Sequence, residues 1–365
     1  MNTPLKLLVV SNYDDPNPAR PEAEIYLALA ARGYAVTAVT HGESDYVDRF
    51  RAAGIRVLFG HPVGRRDARG TQVIRDELLA GDYDVLVLYN SRAIANGVRA
   101  ARGIDVAVVA YRGYAGDLRW YDPTNYLKIY HPRVDAILCN NEGVRQHILA
   151  NQWWRRDRTT VVNKGHDLAW YADVEPIDRA ELGVPAGSPF AVCVANAAKF
   201  KAIPVLLEAF GQVDPALGAV LGLVGRGHDT PAHRALVARH PHPERVRFLG
   251  FRDDVHGVVA AADLKVLAST HGESLTRAVN EAMAIGTPVL ITDIPGNADL
   301  VEHGVSGWKV PPGDAAALAR AMERLLASAP LRRGLAAGAR ARVAGPRSHA
   351  ATVEAMDAFF REVAA

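Results

Sequence analysis

The sequence predicts an α/β protein made of two doubly wound domains, each a parallel sheet with helices on both faces. Three observations carry that expectation. Short continuous apolar runs, closed by turn residues, alternate with segments of helical period, the pattern of strands buried on both faces. The alternation fades once, across Glu175–Pro189, where Pro176, Pro185, Ala186, Gly187, Ser188 and Pro189 cluster, and then restarts, as at an interdomain connection. The length of 365 residues suits about two domains of roughly 150 residues.

Each element follows from local pattern. Leu5–Val10 is an apolar strand stopped by Ser11-Asn12-Tyr13, and Pro21–Arg32 carries Ile25, Leu27 and Leu29 at helical spacing and ends at Gly33. Strands then read over Ala35–Thr40, Ile55–Phe59, Val85–Tyr89, Val106–Tyr111, Val134–Cys139 and Thr160–Asn163. Helices fall between them near Ser44–Ala53, Gly70–Leu79, Ser91–Ala101 and Glu142–Ala150. After the proline-rich stretch, strands read over Phe190–Ala195, Ala219–Val224, Val246–Leu249, Leu264–Ala268, Val289–Thr292 and Gly307–Val310. Helices read over Ala202–Gln212, Pro231–His240, Val255–Ala262, Ser274–Ala284 and Asp314–Ala327, with another beginning in Asn297–Glu302. Ser348–Ala365 is a final amphipathic helix. The expected domains are 1–172, 173–347 and a C-terminal helix over 348–365.

Composition excludes several classes. With 49% hydrophobic and 22% charged residues, the chain has the apolar material for two cores. Lys+Arg 42 against Asp+Glu 40 lacks the basic excess of a nucleic-acid binder. Cys139 and Cys193 sit in strand-like runs, which excludes a disulfide scaffold or cysteine metal cluster and suits a reducing cytoplasm. No apolar run approaches the ~18 residues of a membrane span, and Leu7-Leu8-Val9-Val10 is too short for a signal core. Asp82-Tyr83-Asp84 precedes a strand instead of following one, so it reads as a solvated turn, not a metal site. No zinc spacing, phosphate-binding Gly-x4-Gly-Lys loop or dinucleotide fingerprint occurs, which disfavours an NAD(P) oxidoreductase.

The strongest chemical signal is Ser269–Val289. It leaves a strand, turns at Gly272 and opens a helix around Ser274, whose first amides, on Ser274, Leu275 and Thr276, would form an anion site. Glu273 lies just before that helix and Glu281 eight residues on, where burial would make an unpaired carboxylate costly. The segment resembles the signature of family 4 retaining glycosyltransferases of the GT-B fold. Their Glu-x7-Glu motif matches Glu273 and Glu281, and their Ala-Met-Ala-x-Gly-x-Pro-Val matches Ala282–Val289. The similarity continues through Thr292-Asp293, Gly296, Leu300-Val301, Gly304, Gly307 and Val310–Asp314, and upstream through Val246–Gly250, Ala262-Asp263 and Ser269.

The resemblance implies two Rossmann-like domains facing across a cleft, the last helix crossing back to the first. It implies a metal-independent transfer, with no cofactor, of a hexose-type sugar from a nucleotide-diphosphate donor (UDP- or GDP-sugar) to a glycan, lipid-linked or small-molecule acceptor. Bacterial envelope polysaccharide or lipopolysaccharide synthesis is the implied setting. Glu273 would contact the donor sugar and Glu281 the ribose, while Lys201 would neutralise the diphosphate. Where the family holds an arginine before that lysine, this chain has Asn196, and Lys199 or Arg226 is expected to compensate. Phe251 and Arg252 fall where the family holds the base. Gly225-x-Gly227 by itself is a common strand-to-helix turn.

The first half resembles the family only in its alternation. Ser11–Glu22 lacks the family's Gly-Gly loop, and Arg112 stands near the family's histidine, as an anion-binding candidate. Lys164-Gly165-His166-Asp167 is similar to the turn that ends the family's first domain, with His166 read as a hydrogen-bonded structural residue. Residues 1–170 carry 22 Lys+Arg against 19 Asp+Glu. With Arg119-Trp120-Tyr121 and Trp153-Trp154-Arg155-Arg156-Asp157-Arg158, this leaves peripheral membrane contact open beside simple packing of Trp153 and Trp154. A catalytically silent GT-B scaffold that binds a glycan, and a GT-B sugar-nucleotide epimerase or phosphorylase, are the alternatives.

Overall fold

The computed structural model describes residues 4–114, 116, 118–152, 158–273 and 276–365. The chain forms two compact units, one of Met1–Gly165 with His349–Ala365, the other of His166–Ser348. The division falls ahead of the proline-rich stretch because Tyr171, on the short 3-10 turn Leu168–Tyr171, is buried in the second unit's core beside Leu182 and Met283.

The first unit is a seven-stranded sheet in the order β3-β2-β1-β4-β5-β6-β7. Its strands are β1 Lys6–Val10, β2 Ala35–Thr40, β3 Arg56–Phe59, β4 Val85–Leu88, β5 Ala107–Arg112, β6 Ala136–Cys139 and β7 Thr159–Val161, all paired in parallel. Leu7, Leu8, Val9 and Val10 are fully buried, so the continuous apolar run reads correctly as a central strand covered on both faces. Helices α1 Pro16–Ala31, α2 Asp45–Ala52, α3 Ala68–Gly81, α4 Ser91–Ala100 and α5 Glu142–Asn151 connect them. Ser44, Asp67, Asn90 and Asn141 cap four of these by accepting from first-turn amides. The Asp82-Tyr83-Asp84 turn is structural, since Asp84 Oδ2 accepts from the Lys6 amide at 2.6 Å.

The second unit is a six-stranded parallel sheet ordered β10-β9-β8-β11-β12-β13. Its strands are β8 Phe190–Val194, β9 Val220–Val224, β10 Val246–Gly250, β11 Leu264–Leu267, β12 Val289–Thr292 and β13 Trp308–Val310. Helices are α6 Ile203–Gly211, α7 Pro231–Val237, α8 Val255–Ala261, α9 Arg277–Ile285, α10 Ala315–Ala327 and α11 Ala329–Ala344. The last helix, α12 His349–Ala364, belongs to the first unit. Val353, Met356, Phe359 and Phe360 join the core formed by Leu7, Ile25 and Leu29, each full burial contributing about 1.5–3 kcal/mol. Arg32–Glu354 at 2.6 Å and Tyr34–Asp357 at 2.7 Å tie it to the turn between α1 and β2.

Three elements depart from expectation. Helix α9 starts at Arg277, with Thr276 at its N-cap, instead of near Ser274. Residues 297–300 form turns and 301–302 continue without helix, with the Asn297 side chain spent on the Thr292 carbonyl. Helix α11 has no counterpart in the sequence reading. Its Gly334 and Gly338 weaken the helical signal, yet Gly338 is required, since a Cβ there would lie 2.1 Å from the Val305 carbonyl oxygen.

His61, just past β3, gives the first unit an acid sensitivity. It is 4% exposed, its Nε2 accepts from Asn90 Nδ2 at 2.9 Å and its Nδ1–H donates to the Pro62 carbonyl at 3.1 Å. Burial, with the facing His41 ring and Arg92 adding to it, pushes its pKa down from 6.5 to about 4. The unfolded chain therefore takes up the proton first, and stability is lost as pH falls from 6.5 toward 4, by about 1.4 kcal/mol per pH unit. Urea unfolding at pH 7 and pH 5 is expected to differ by about 2 kcal/mol from this group, and His61→Gln to remove that difference.

Candidate functional site

In the second unit the strand order changes direction at the β8–β11 junction, and open α/β sheets bind ligands beyond the carboxyl ends of such strands. The loops that leave β8 and β11 meet there. Their backbones are tied by the Thr270 amide, which donates to the Phe200 carbonyl at 2.8 Å. The first loop ends in a 3-10 turn, Lys199–Lys201, followed by Ala202 at φ +49°. Ala202 and Asp82 are the only non-glycine residues with positive φ among those described. That conformation costs an alanine about 1–2 kcal/mol and sets where Lys201 points. The second loop turns at Gly272, φ +73°, against the Phe200 ring.

Lys201 and Glu273 are brought together. Their Nζ and Oε1 lie 2.5 Å apart, with side chains 15% and 7% exposed. Ser269 Oγ donates to the same Oε1 at 2.5 Å. Thr276 Oγ1 lies 3.2 Å from Glu273 Oε2 and 3.2 Å from Asn297 Oδ1, so one hydroxyl proton serves two acceptors. Behind them, Thr292 Oγ1 donates to the Ser269 carbonyl and Asn297 Nδ2 to the Thr292 carbonyl. The result is a buried polar network with a cation and a carboxylate at its rim, prearranged to hold charged and hydroxylated groups. The amides of the first turn of α9 follow, and Thr276 makes no side-chain cap to them. Ser274 and Leu275 lie outside the described residues.

Glu281 sits one helix face away. Its Oε1 is 3.3 Å from Arg277 Nε and its Oε2 is 3.5 Å from His256 Nε2, with the side chain 13% exposed. Burial pushes the carboxyl up, but His256 and Arg277, with His166 adding to them, outweigh it and hold the group below its ordinary value. The nearby His166 is 3% exposed, its Nδ1 2.7 Å from the Tyr171 hydroxyl, as a structural histidine would be.

The loops after β9 and β10 bring Arg226 and Phe251 together, the guanidinium 4.5 Å from the ring centroid and the ring 58% exposed. Asn196 lies beneath, its Oδ1 accepting from the Arg226 amide at 3.0 Å. Gly225 is obligatory at this crossing, because a Cβ would fall 1.9 Å from the Ala195 carbonyl oxygen. Arg252 is turned to its own helix start, bidentate on Asp254 at 2.5 and 2.7 Å. Arg112 lies in the first unit, where its Nε donates to the Tyr114 carbonyl at 2.8 Å, its Nη2 reaches the Gly116 carbonyl, and its guanidinium stacks on Tyr114. In this structure it organises its own loop.

Of the network's inner members, Ser269 and Thr292 stand out only through the family resemblance, and Asn297 carries no signal of its own, because a small polar residue beside a strand end is usually a turn. Lys265, fully buried in β11, does carry one: a lysine inside an apolar strand. In the first unit a second polar cluster gathers past the ends of β1, β4 and β5. Lys164 Nζ lies 2.7 Å from Glu22 Oε2 and over the rings of Tyr89 and Tyr111.

Residues 188–328 match the family described as glycosyl transferases group 1, and residues 23–170 match glycosyltransferase family 4. The chain is 30% identical over 226 residues to the lipopolysaccharide core biosynthesis glycosyltransferase LpsE of Rhizobium meliloti, covering 62% of this chain and 64% of that protein. It is 35% identical over 226 residues to the D-inositol 3-phosphate glycosyltransferase of Salinispora arenicola, covering 57% and 50%. The matches thus span about half to just under two-thirds of these curated relatives. Among solved structures, Anabaena HepE in complex with UDP superposes with a TM-score of 0.79 at 21% identity, covering 99% of this chain and 100% of that one. WaaG, a glycosyltransferase involved in lipopolysaccharide biosynthesis, superposes with a TM-score of 0.66 at 18% identity, covering 97% and 99%. At these identities the likeness shows the fold, which is GT-B.

Proposed function

This chain belongs to the family 4 glycosyltransferases, and on that premise we propose that it transfers a hexose-type sugar, with retention and without a metal ion, from a nucleoside-diphosphate donor to a glycan, lipid-linked or small-molecule acceptor. The observation that carries the reading is the Lys201–Glu273 pair at the β8–β11 junction, a cation and a carboxylate held at the strand ends where a nucleotide would lie. The relatives that act in lipopolysaccharide core synthesis, and the neighbour bound to UDP, support an envelope glycan setting and a UDP-sugar. Two buried free thiols suit the expected cytoplasmic placement.

In this reading Glu281 accepts hydrogen bonds from both ribose hydroxyls, and Phe251 with Arg226 borders the base. Lys201 and the first amides of α9 receive the diphosphate. The bond between the sugar's anomeric carbon and the β-phosphate oxygen breaks through an oxocarbenium-like state, and negative charge grows on the diphosphate. Fixed cations and amide dipoles stabilise that charge without reorganising. The acceptor hydroxyl attacks from the same face, and its proton passes to the departing phosphate oxygen, which balances the reaction. Glu273, anchored by Ser269, orients the sugar hydroxyls. The Lys201–Glu273 bond loosens as the diphosphate takes its share of the ammonium.

Thermal denaturation with UDP, GDP, ADP and NAD tests the reading. One nucleoside diphosphate at a hundred times its Kd is expected to add about 2.7 kcal/mol and raise the melting point visibly. A response to NAD alone overturns the reading.

A further inference from the structure

Lys265 is the one lysine of the described residues with no exposed surface, and it lies on the central strand β11. It pairs in register with Val192 on one side and Val289 on the other, both members of the apolar core beneath α8 and α9. Among the described residues its Nζ makes a single hydrogen bond, 3.3 Å to the carbonyl of Val194, the last residue of β8, just ahead of the loop that carries Lys201. An ammonium has three donors, and burying it with one weak partner is costly. Burial pushes it below the usual lysine range; the groups it feels are first the buried Cys193 thiol of β8, and then Lys201, Glu273 and Glu281 of the site.

The rim charges around it come in pairs: Lys201 with Glu273, and Arg277 with Glu281. Lys265 is the surplus. Its side chain enters no ion pair among the described residues, and it lies in the low-dielectric layer where a charge is least screened. A methionine or leucine of similar volume would suit the apolar strand better, so the lysine is a local cost at a functional site.

We propose that Lys265 is a positioning residue for the donor: a buried cation beneath the β8–β11 junction whose field offsets the negative charge of the nucleoside diphosphate and grips it as a leaving group, without touching it. The inference rests on the donor reading above. It requires the effect of Lys265 to grow with the phosphate charge of the ligand, which a packing role would not do.

The test compares the wild type with Lys265→Met by calorimetry, using uridine, UMP and UDP, after the wild type has been titrated with UDP, GDP and ADP to fix the base; the matching nucleoside series is used if another base binds. Affinity for the diphosphate is expected to fall about tenfold, for the monophosphate less, and for the nucleoside not at all, while the melting point holds or rises. An equal loss for all three ligands, or no loss for the diphosphate, overturns the proposal. If Lys265→Met fails to fold, Lys265→Gln is measured in the same way, and failure of both makes the lysine structural and overturns it too. A wild type that binds none of the diphosphates overturns the donor reading, and the proposal with it.

Discussion

Removing the Glu273 carboxylate while keeping Lys201 is expected to destabilise the second unit by about 3–5 kcal/mol and to abolish transfer, and removing Lys201 alone to do the same. Both side chains are less than one-sixth exposed, and they lie 2.5 Å apart. Either single change strands a charge in a poorly solvated pocket, and the loss is that of an orphaned ion, not of a contact. The double variant Lys201→Met with Glu273→Met separates the two roles. With no charge stranded, its stability should return to near the wild-type value or exceed it. Its activity should not return, because the diphosphate has lost its cation and the sugar its carboxylate. Chemical denaturation and donor turnover on the four proteins complete the cycle. A double variant as unstable as either single one would show that the pair is not coupled. A double variant that still transfers sugar would remove both residues from the mechanism.

This behaviour also explains how much the sequence could reveal. The parallel sheets were legible because runs such as Leu7–Val10 and Val85–Leu88 are apolar on both faces, and only a doubly covered strand needs that. Glu273, Lys201 and Glu281 were singled out by the family resemblance; on local pattern alone a carboxylate before a helix, one inside it and a loop lysine can each be an ordinary paired or solvated charge. Helix α11 was not legible, since its Gly338 lets the Val305 turn approach, and glycine in a helix reads as a break. Helix α9 begins at Arg277, and the Thr276 hydroxyl at its N-cap is engaged with Glu273 and Asn297 instead of with the helix amides. Arg112 and Arg252 had the right chemistry for anions, but local carbonyls and Asp254 engage them first. A single sequence does not show which nearby acceptor captures a guanidinium.

Glu281 supplies the second large effect. Its carboxylate is shared between Arg277 and His256 at 3.3 and 3.5 Å, both long enough to be exchanged for better partners. A carboxylate that accepts from two vicinal hydroxyls gains two charge-assisted hydrogen bonds of about 1.5–3 kcal/mol each. Glu281→Ala is therefore expected to weaken nucleoside diphosphate binding about a thousandfold, while Glu281→Gln, which keeps one accepting oxygen, loses less. Thermal stability should change little by comparison, since Arg277 is itself 43% exposed on its side chain and water can replace its partner. The pH dependence follows from the same contacts. His256 and Arg277 hold the carboxyl below its ordinary value of 4.5, so the group stays charged, and its contribution to folding is whole above that pH and lost as pH falls through the lower native value. Binding should follow the same course, intact at pH 5 and declining only below 4.5, in contrast to the loss of stability that His61 begins at 6.5. Calorimetry of the diphosphate against wild type and both variants at pH 7 and pH 5 resolves the two. If Glu281→Ala binds the nucleotide as tightly as the wild type, the carboxylate serves α9 and not the ribose, and the donor must be held by the Lys201 loop alone.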